Sequence, residues 1–427
     1  MSKKAWVHLG LGVVVIGGAF WLAITGMKGL FRRRTGAERP HIVFLLVDAL
    51  RKDHLGCYGY ERATTPTIDA LSQKGLVFEN AVSQAPWTSP SMASIFTSRY
   101  PSQVGVGALE DESGMRNLDV HLPSVLPKKA LTLAERLKKA GYMTVSLVAN
   151  PYIVDKFGML QGFRKKFYEH KAPAGRLIER AVAFIDAAGP EPPLFLYVHL
   201  MDLHIPLEPP SPFDTLYPTL DGAPHTQDQR EWKFFRSEDL ASRDFRAYLS
   251  HKRALYDGSL NYLDFQIGRF MDFLRKKDRL SSTVVVIAAD HGEEFWDHAD
   301  SERRWFKDPR NLYGMGHGHT LFRELLDVPL ILFGPGVPPG RIASQVRNVD
   351  IAPTLLDLAG VDVDPAHVEG VPLVEKITQD ALKPLLAFSE DIAYGYEQKS
   401  LQNMAYKYIR TREREILFDK TADPTET

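Results

Sequence analysis

Unbroken apolar runs, rather than alternating ones, dominate the hydrophobic pattern of this chain. His41–Val47 (HIVFLLV) is apolar on both faces, and similar runs recur at Tyr142–Val148, Leu194–Leu200, Thr283–Ala289 and Pro329–Phe333. Short runs of this kind predict strands covered on both sides, as in a parallel sheet. Helical patterns lie between them, at Thr67–Lys74, Thr132–Ala140, Arg176–Ala187 and from about Phe245 to Lys276. Strands alternating with helices predict an α/β fold: a large, mainly parallel central sheet flanked by helices. Two segments interrupt the rhythm. Residues 205–240 are rich in proline, acid and aromatics, including Trp232, Phe234 and Phe235. Residues 295–316 set Arg303, Arg304, Lys307 and Arg310 around Trp305, either a solvated charge run or a basic rim for an anionic substrate. Long loops inside a compact domain are usually functional or disordered.

The N-terminus follows another rule. No formally charged residue occurs from Ala5 to Met27, a run flanked by Lys3, Lys4, Lys28 and Arg32–Arg34. As a helix it would extend about 34 Å, enough to cross a bilayer. The run lacks a clear small-x-small cleavage site, so residues 1–34 are expected to be an uncleaved, single-pass transmembrane anchor. Basic residues on both flanks leave its orientation open. A linker at 35–40, a catalytic domain at 41–375 and a short C-terminal subdomain at 376–427 complete the expected organisation.

Composition narrows the field further. The 427 residues hold 52 Lys and Arg against 53 Asp and Glu, so nothing points to a nucleic-acid partner. Cys57 is the only cysteine, which excludes an internal disulfide and a cysteine-rich zinc cluster.

Polar residues follow the C-terminal ends of the expected strands: Asp48, Asn150, then His199, Asp202 and His204, then Asp290 and His291. In open parallel sheets ligands bind in the crevice beyond those ends. Asp48, Asp290 and His291 offer hard oxygens and one imidazole, a set suited to Mg²⁺, Ca²⁺ or Mn²⁺, with Zn²⁺ also compatible. The stretch Trp87-Thr88-Ser89-Pro90-Ser91 reads in two ways. Ser89 suits a helix N-cap with Pro90 at the first helical position and Met92, Ile95 and Phe96 on one apolar face. Alternatively, Thr88 is a nucleophile whose alkoxide a cation would stabilise. His204 and His317 are placed to donate to ester oxygens or protonate a leaving group. His199, inside a strand run, reads as a packed core histidine. His317 and His319 fall in a glycine-rich loop (GMGHGHT) where core packing is not expected. Asn150, Asp202 and His319 are the candidate substrate-binding residues.

With these residues in hand, the chain resembles the sulfatase family of the alkaline phosphatase superfamily over roughly residues 40–425. The resemblance rests on ordered motifs: VDALRKDHLGCYGY at 47–60, residues 85–101 ending in TSRYP, Gly162-Phe163 and HLMDLHIP at 199–206. It continues through ADHGE at 289–293, HGHTLF at 317–322, VPLILFGP at 328–335, DIAPTLLDLAG at 350–360 and LFDKTADP at 417–424. It implies an alkaline-phosphatase-like core, a divalent metal held by Asp48, Asp290 and His291, and a nucleophile at the Thr88 position. His204 matches a family histidine that contacts the ester, and His317 falls where relatives place a basic group.

The departures matter as much. Sulfatases carry cysteine, sometimes serine, in a C-x-P-S-R pattern and oxidise it to formylglycine; here threonine and methionine occupy the first and last positions. Threonine cannot give the formylglycine aldehyde. Ala149-Asn150-Pro151 stands where many relatives have lysine and histidine, Ala49 replaces a second aspartate, and Gly318 replaces a common lysine. Unmodified threonine is the nucleophile of phosphodiesterases and of phosphoethanolamine and glycerol-phosphate transferases in the same superfamily, several of them membrane-anchored with an outward catalytic domain. The expected function is therefore a metal-dependent hydrolase of sulfuric or phosphoric esters that uses Thr88. Its substrates would be sulfated or phosphorylated glycans, lipids or small esters, met outside the membrane. The alternatives are a membrane-anchored transferase of that kind and an inactive sulfatase-like binding protein.

Overall fold

A computed structural model describes residues 39–189, 191–220 and 239–427. The expected anchor at 1–34, most of its linker and the aromatic cluster Trp232, Phe234 and Phe235 lie outside the described residues. No helix among the described residues is long and apolar enough to cross a membrane.

A nine-stranded sheet organises Pro40–Thr427. From edge to edge run Gly340–Ile342, Leu76–Val82, Asp327–Phe333, Thr283–Ala289, His41–Val47, Leu194–Leu200, Met143–Val148 and Lys165–Tyr168, with Val346–Arg347 also paired to Leu76–Val82. The apolar runs are buried along nearly their full length because helices cover both faces. One strand departs from the parallel expectation. Asp327–Phe333 pairs antiparallel with both neighbours, so the sheet is mixed. The Leu76–Val82 strand was not anticipated: its centre, Glu79-Asn80, is only partly buried, and the acid and amide break the apolar run.

Helix ends follow local chemistry. Thr132 caps Leu133–Lys139, accepting from Glu135 N while Glu135 returns a bond to the Thr132 N–H. The long helix Arg243–Lys276 begins at Ser242, whose hydroxyl accepts from Phe245 N. At Pro66–Ser72 the capping group comes from that long helix: Asp264 accepts from Thr67 N and Ile68 N, both at 2.8 Å.

The C-terminal residues build a four-stranded antiparallel sheet in the order Ala387–Glu390, Lys399–Gln402, Tyr406–Arg410, Glu415–Asp419. Ala387, Ile409 and Phe418 pack with Leu321, Phe322 and Leu326, which joins this sheet to the segment carrying His317. The 295–316 segment is not an open loop. It contains helix Ala299–Trp305 and a ladder that pairs Glu294 with Gly316 and Phe295 with Met315. Within it, Asp300 and Asp308 neutralise Arg303 and Arg310 locally.

Candidate active site

Strand register alone brings the acidic residues together. Val47 pairs with Ala289 on one side and with Leu200 on the other, so Asp48 and Asp290 leave adjacent strands at the same level. Val148 and Leu46 both pair with His199, which sets Asn150 and His199 beside them.

Thr88 reaches this point as the first residue of helix Thr88–Thr97. The N-cap is Trp87, not Ser89, so Pro90 falls at the third helical position. This shift by two residues has a physical reason. Ser91 Oγ, together with Ser83 Oγ, donates to the Asp290 carbonyl, at 2.6 Å for Ser91, and draws the first turn onto the Asp290 strand end. The Ser89 hydroxyl is buried without a hydrogen-bond partner. Thr88 thus lies at the positive end of a helix, where negative charge is favoured.

The cluster is almost fully buried. Asn150 Nδ2 donates to Asp48 Oδ2 at 2.6 Å and to Thr88 Oγ1 at 3.3 Å. His199 is in the core as expected but does more than pack. Tyr197 OH and His199 Nδ1 are 2.6 Å apart, and His199 Nε2 lies 3.2 Å from Asp48 Oδ2. The tyrosine hydroxyl therefore donates to Nδ1 and Nε2–H donates to the carboxylate. His291 Nδ1–H donates to Gly292 O at 2.8 Å, which turns a bare Nε2 inward. That nitrogen is 3.3 Å from Thr88 Oγ1, 3.4 Å from Asp48 Oδ1 and 3.5 Å from Asp290 Oδ2.

These three ligand atoms fit a divalent cation. Asp48 Oδ1 and Asp290 Oδ2 are buried with no hydrogen-bond partner, while each carboxylate's other oxygen is satisfied. They converge with His291 Nε2 within 4.8 Å of one another. Electrostatics agrees. Burial opposes ionisation of Asp48, yet the bond from His199 and the nearby imidazoles hold it well below the usual carboxylate range. Burial, and then the Asp48 charge, push Asp290 far above it. Burial and His317 lower His291 to about 3, so it is a neutral ligand. Two carboxylates that disfavour each other's charge are the environment a cation relieves.

The backbone that aims Asp48 is strained: Ala49 has φ 57°, a left-handed conformation uncommon for a residue with a Cβ. Buried Tyr256 holds it, donating to Ala49 O at 2.7 Å and accepting from Arg51 N at 2.8 Å. Tyr256→Phe leaves both backbone groups unsatisfied. It should lower stability by about 1–3 kcal/mol in denaturant titrations, with weaker metal retention as the second readout.

Imidazoles line the rim. The His317 ring lies 4.3 Å from that of His291, tilted, and 5.0 Å from that of His204, edge to face, ring centre to ring centre. His317 Nδ1 bonds Glu293, and His204 Nδ1–H donates to Ile205 O, leaving its Nε2 free of that bond. Glu293 was missed from the sequence, although it adjoins the DHG motif. Burial raises its carboxyl to about 7.

Two expectations fail. Asp202 is not in the cluster; its Oδ1 accepts from Ala174 N at 2.9 Å, serving the start of helix Ala174–Ala187. His319 does not face substrate from an open loop. It is 4% exposed, because the bend that follows the Met315–Gly316 ladder places its ring between Glu294 and Glu302. Asn150 is in the cluster, but its amide bridges Asp48 and Thr88. Met92 fills buried space beside Tyr197, with its sulfur 3.8 Å from the hydroxyl. Cys57 is half-buried, and burial and then Asp69 push its thiol up to about 12, so it supplies no thiolate here.

Comparison with known proteins identifies the family. The sulfatase family model matches residues 40–361. An arylsulfatase of Clostridium perfringens is 25% identical, covering 91% of this chain and 89% of its own length. An N-acetylglucosamine-6-O-sulfatase of Bacteroides thetaiotaomicron is 24% identical, covering 91% and 82%. The structure of a phosphonate monoester hydrolase from Agrobacterium radiobacter superposes with a TM-score of 0.70 at 20% identity, covering 91% of this chain and 90% of that one. The family is metal-dependent, in keeping with the Asp48, Asp290 and His291 donor set. The chain belongs to the sulfatase family and is an ester hydrolase.

Proposed function

We propose that this protein hydrolyses phosphoric or phosphonic esters in preference to sulfuric esters, with unmodified Thr88 as nucleophile. The observation that carries the reading is the seat of the Thr88 hydroxyl. It is 3.3 Å from His291 Nε2 and 3.3 Å from the Asn150 amide, at the mouth of a two-carboxylate donor set. A divalent ion held by Asp48, Asp290 and His291 supplies Lewis acidity and lowers the cost of an alkoxide. The Asn150 N–H and the helix N-terminus favour negative charge on Oγ1. Thr88 Oγ1 forms a bond to phosphorus as the bond from phosphorus to the ester oxygen breaks. The His204 and His317 pair takes the Thr88 proton and delivers it to the departing oxygen. Water then attacks phosphorus, the bond from phosphorus to Thr88 Oγ1 breaks, a proton from the water returns to Oγ1, and the phosphate or phosphonate leaves.

Two departures bear on the substrate. No formylglycine is available to Thr88, and Met92 and Asn150 stand where sulfatases have cationic groups, which suits singly charged phosphodiesters and phosphonate monoesters better than doubly charged phosphate monoesters. The N-acetylglucosamine-6-O-sulfatase relative acts on a sulfated sugar by name, and the phosphonate monoester hydrolase on a phosphonate. A glycan or lipid carrying a phosphoryl group is thus the natural class of substrate. A panel of phosphate monoesters, diesters, phosphonates and sulfate monoesters, each with Mg²⁺, Ca²⁺, Mn²⁺ and Zn²⁺, tests this. The expected kcat/KM for the best phosphorus ester exceeds that for any sulfate monoester by about 10²-fold or more, roughly 3 kcal/mol of transition-state discrimination. A preference for sulfate reverses the assignment. Release of the free acid, with none transferred to an added glycan, separates hydrolysis from transfer.

A further inference from the structure

A second group of buried ligating side chains lies beside the candidate active site. Glu294, Glu302 and His319 are all buried, and their donor atoms lie within 4.8 Å of one another. His319 Nε2 is 3.0 Å from Glu294 Oε2 and 2.9 Å from Glu302 Oε1. An imidazole nitrogen carries at most one hydrogen, so it cannot serve both oxygens fully. Its hydrogen bond goes to Glu294, and Glu302 Oε1 is left buried without a hydrogen-bond partner. The remaining oxygens are occupied: Glu294 Oε1 accepts from His298 N at 3.1 Å, and Glu302 Oε2 from Gly314 N at 2.6 Å. Each carboxylate therefore turns one oxygen to the backbone and the other to the same nitrogen.

The spacing is compatible with a cation. Ligands bound at about 2.0–2.1 Å in a tetrahedral arrangement sit roughly 3.3 Å apart, a few tenths of an ångström beyond the contacts that His319 Nε2 makes with the two carboxylates. A divalent ion held there would neutralise both buried carboxylates without help from protons.

We propose that Glu294, Glu302 and His319 bind a second divalent cation of the Zn²⁺ class, with a structural role. It joins three parts of the site wall: Glu294, next to the Glu293 that bonds His317; helix Ala299–Trp305 of the 295–316 segment; and the strand exit carrying His317 and His319. The ion fixes the position of His317 without touching substrate.

Zn²⁺ titration of the chelator-stripped, full-length protein tests the assignment, with bound metal read by mass spectrometry and Co²⁺ substitution read by visible absorption. Two equivalents per chain are expected for wild type, one for Glu302→Gln or His319→Ala, and one for the Asp48→Asn/Asp290→Asn double variant. The Co²⁺ spectrum of that double variant should disappear when Glu302→Gln is added. Should the single variants fail to fold, the wild-type and double-variant titrations still decide. Saturation of wild type at one equivalent, with none bound by the double variant, overturns the proposal and leaves a proton bridge between the two glutamates. Thr88→Ala should bind as many equivalents as wild type whichever result holds, so failure of this site is distinct from failure of the nucleophile.

Discussion

Thr88→Ala is expected to reduce kcat for the best ester by about 10⁴-fold or more, with metal content and melting temperature close to wild type. The size follows from the role: removing a nucleophile eliminates the covalent route and leaves only the catalysis of the surrounding binding groups. Little structural loss should accompany it. The Thr88 side chain makes two bonds of 3.3 Å, to Asn150 and His291, and each partner keeps a better one, at 2.6 Å to Asp48 and 2.8 Å to Gly292 O. Thr88→Ser should retain much of the activity, since the hydroxyl and the helix N-terminus persist. Rapid quench with a labelled phosphoester should trap a phosphorylated chain in wild type and none in Thr88→Ala. Turnover by Thr88→Ala at the wild-type rate would remove the nucleophile from the scheme altogether.

What the sequence disclosed follows from how locally each signal is encoded. Doubly covered strands are written as continuous apolar runs, so His41–Val47 and Thr283–Ala289 emerge with their bounds intact, and Asp48 and Asp290 at their ends identify the site. Register, by contrast, is a long-range property. Nothing local says that Asp327–Phe333 runs antiparallel, since its apolar run looks the same in either direction. Tertiary bonds also override local capping rules. Ser89 and Pro90 make a plausible helix start, yet Ser91 bonding to the Asp290 carbonyl moves the boundary to Thr88. His319 illustrates the same limit for burial. Glycines around a histidine suggest an open loop, but Glu302, seventeen positions earlier in the chain and on a helix hidden in a charged segment, supplies the partner that buries it. Tyr256 and Glu293 escaped notice because a single tyrosine in a long helix, or a second acid after DHG, carries no signature until the fold brings it to a backbone or an imidazole.

Asp290→Asn should cost activity and not metal-free stability, and this contrast separates a cation site from a structural acid pair. In wild type without metal, Asp48 and Asp290 bring two buried carboxyl groups to one imidazole nitrogen at 3.4 and 3.5 Å, with one oxygen of each unpaired. Burial and then the Asp48 charge already disfavour ionisation of Asp290, since removing charge from water is costly unless an opposite charge replaces the lost hydration. The amide has almost the same shape, and its oxygen can still accept from His291 N without carrying charge. Melting temperature measured in chelator should therefore be unchanged or higher in Asp290→Asn. With metal present the order inverts: wild type gains stability on binding, because a ligand that prefers the native state raises its melting point, and the variant gains much less. Turnover should fall by about 10³-fold or more, reflecting the several kcal/mol that a Lewis acid contributes at a reacting oxygen. Lower melting of Asp290→Asn in chelator, with metal adding nothing to wild type, would make Asp290 a packing element of the strand end and remove the reason for Thr88 to ionise there.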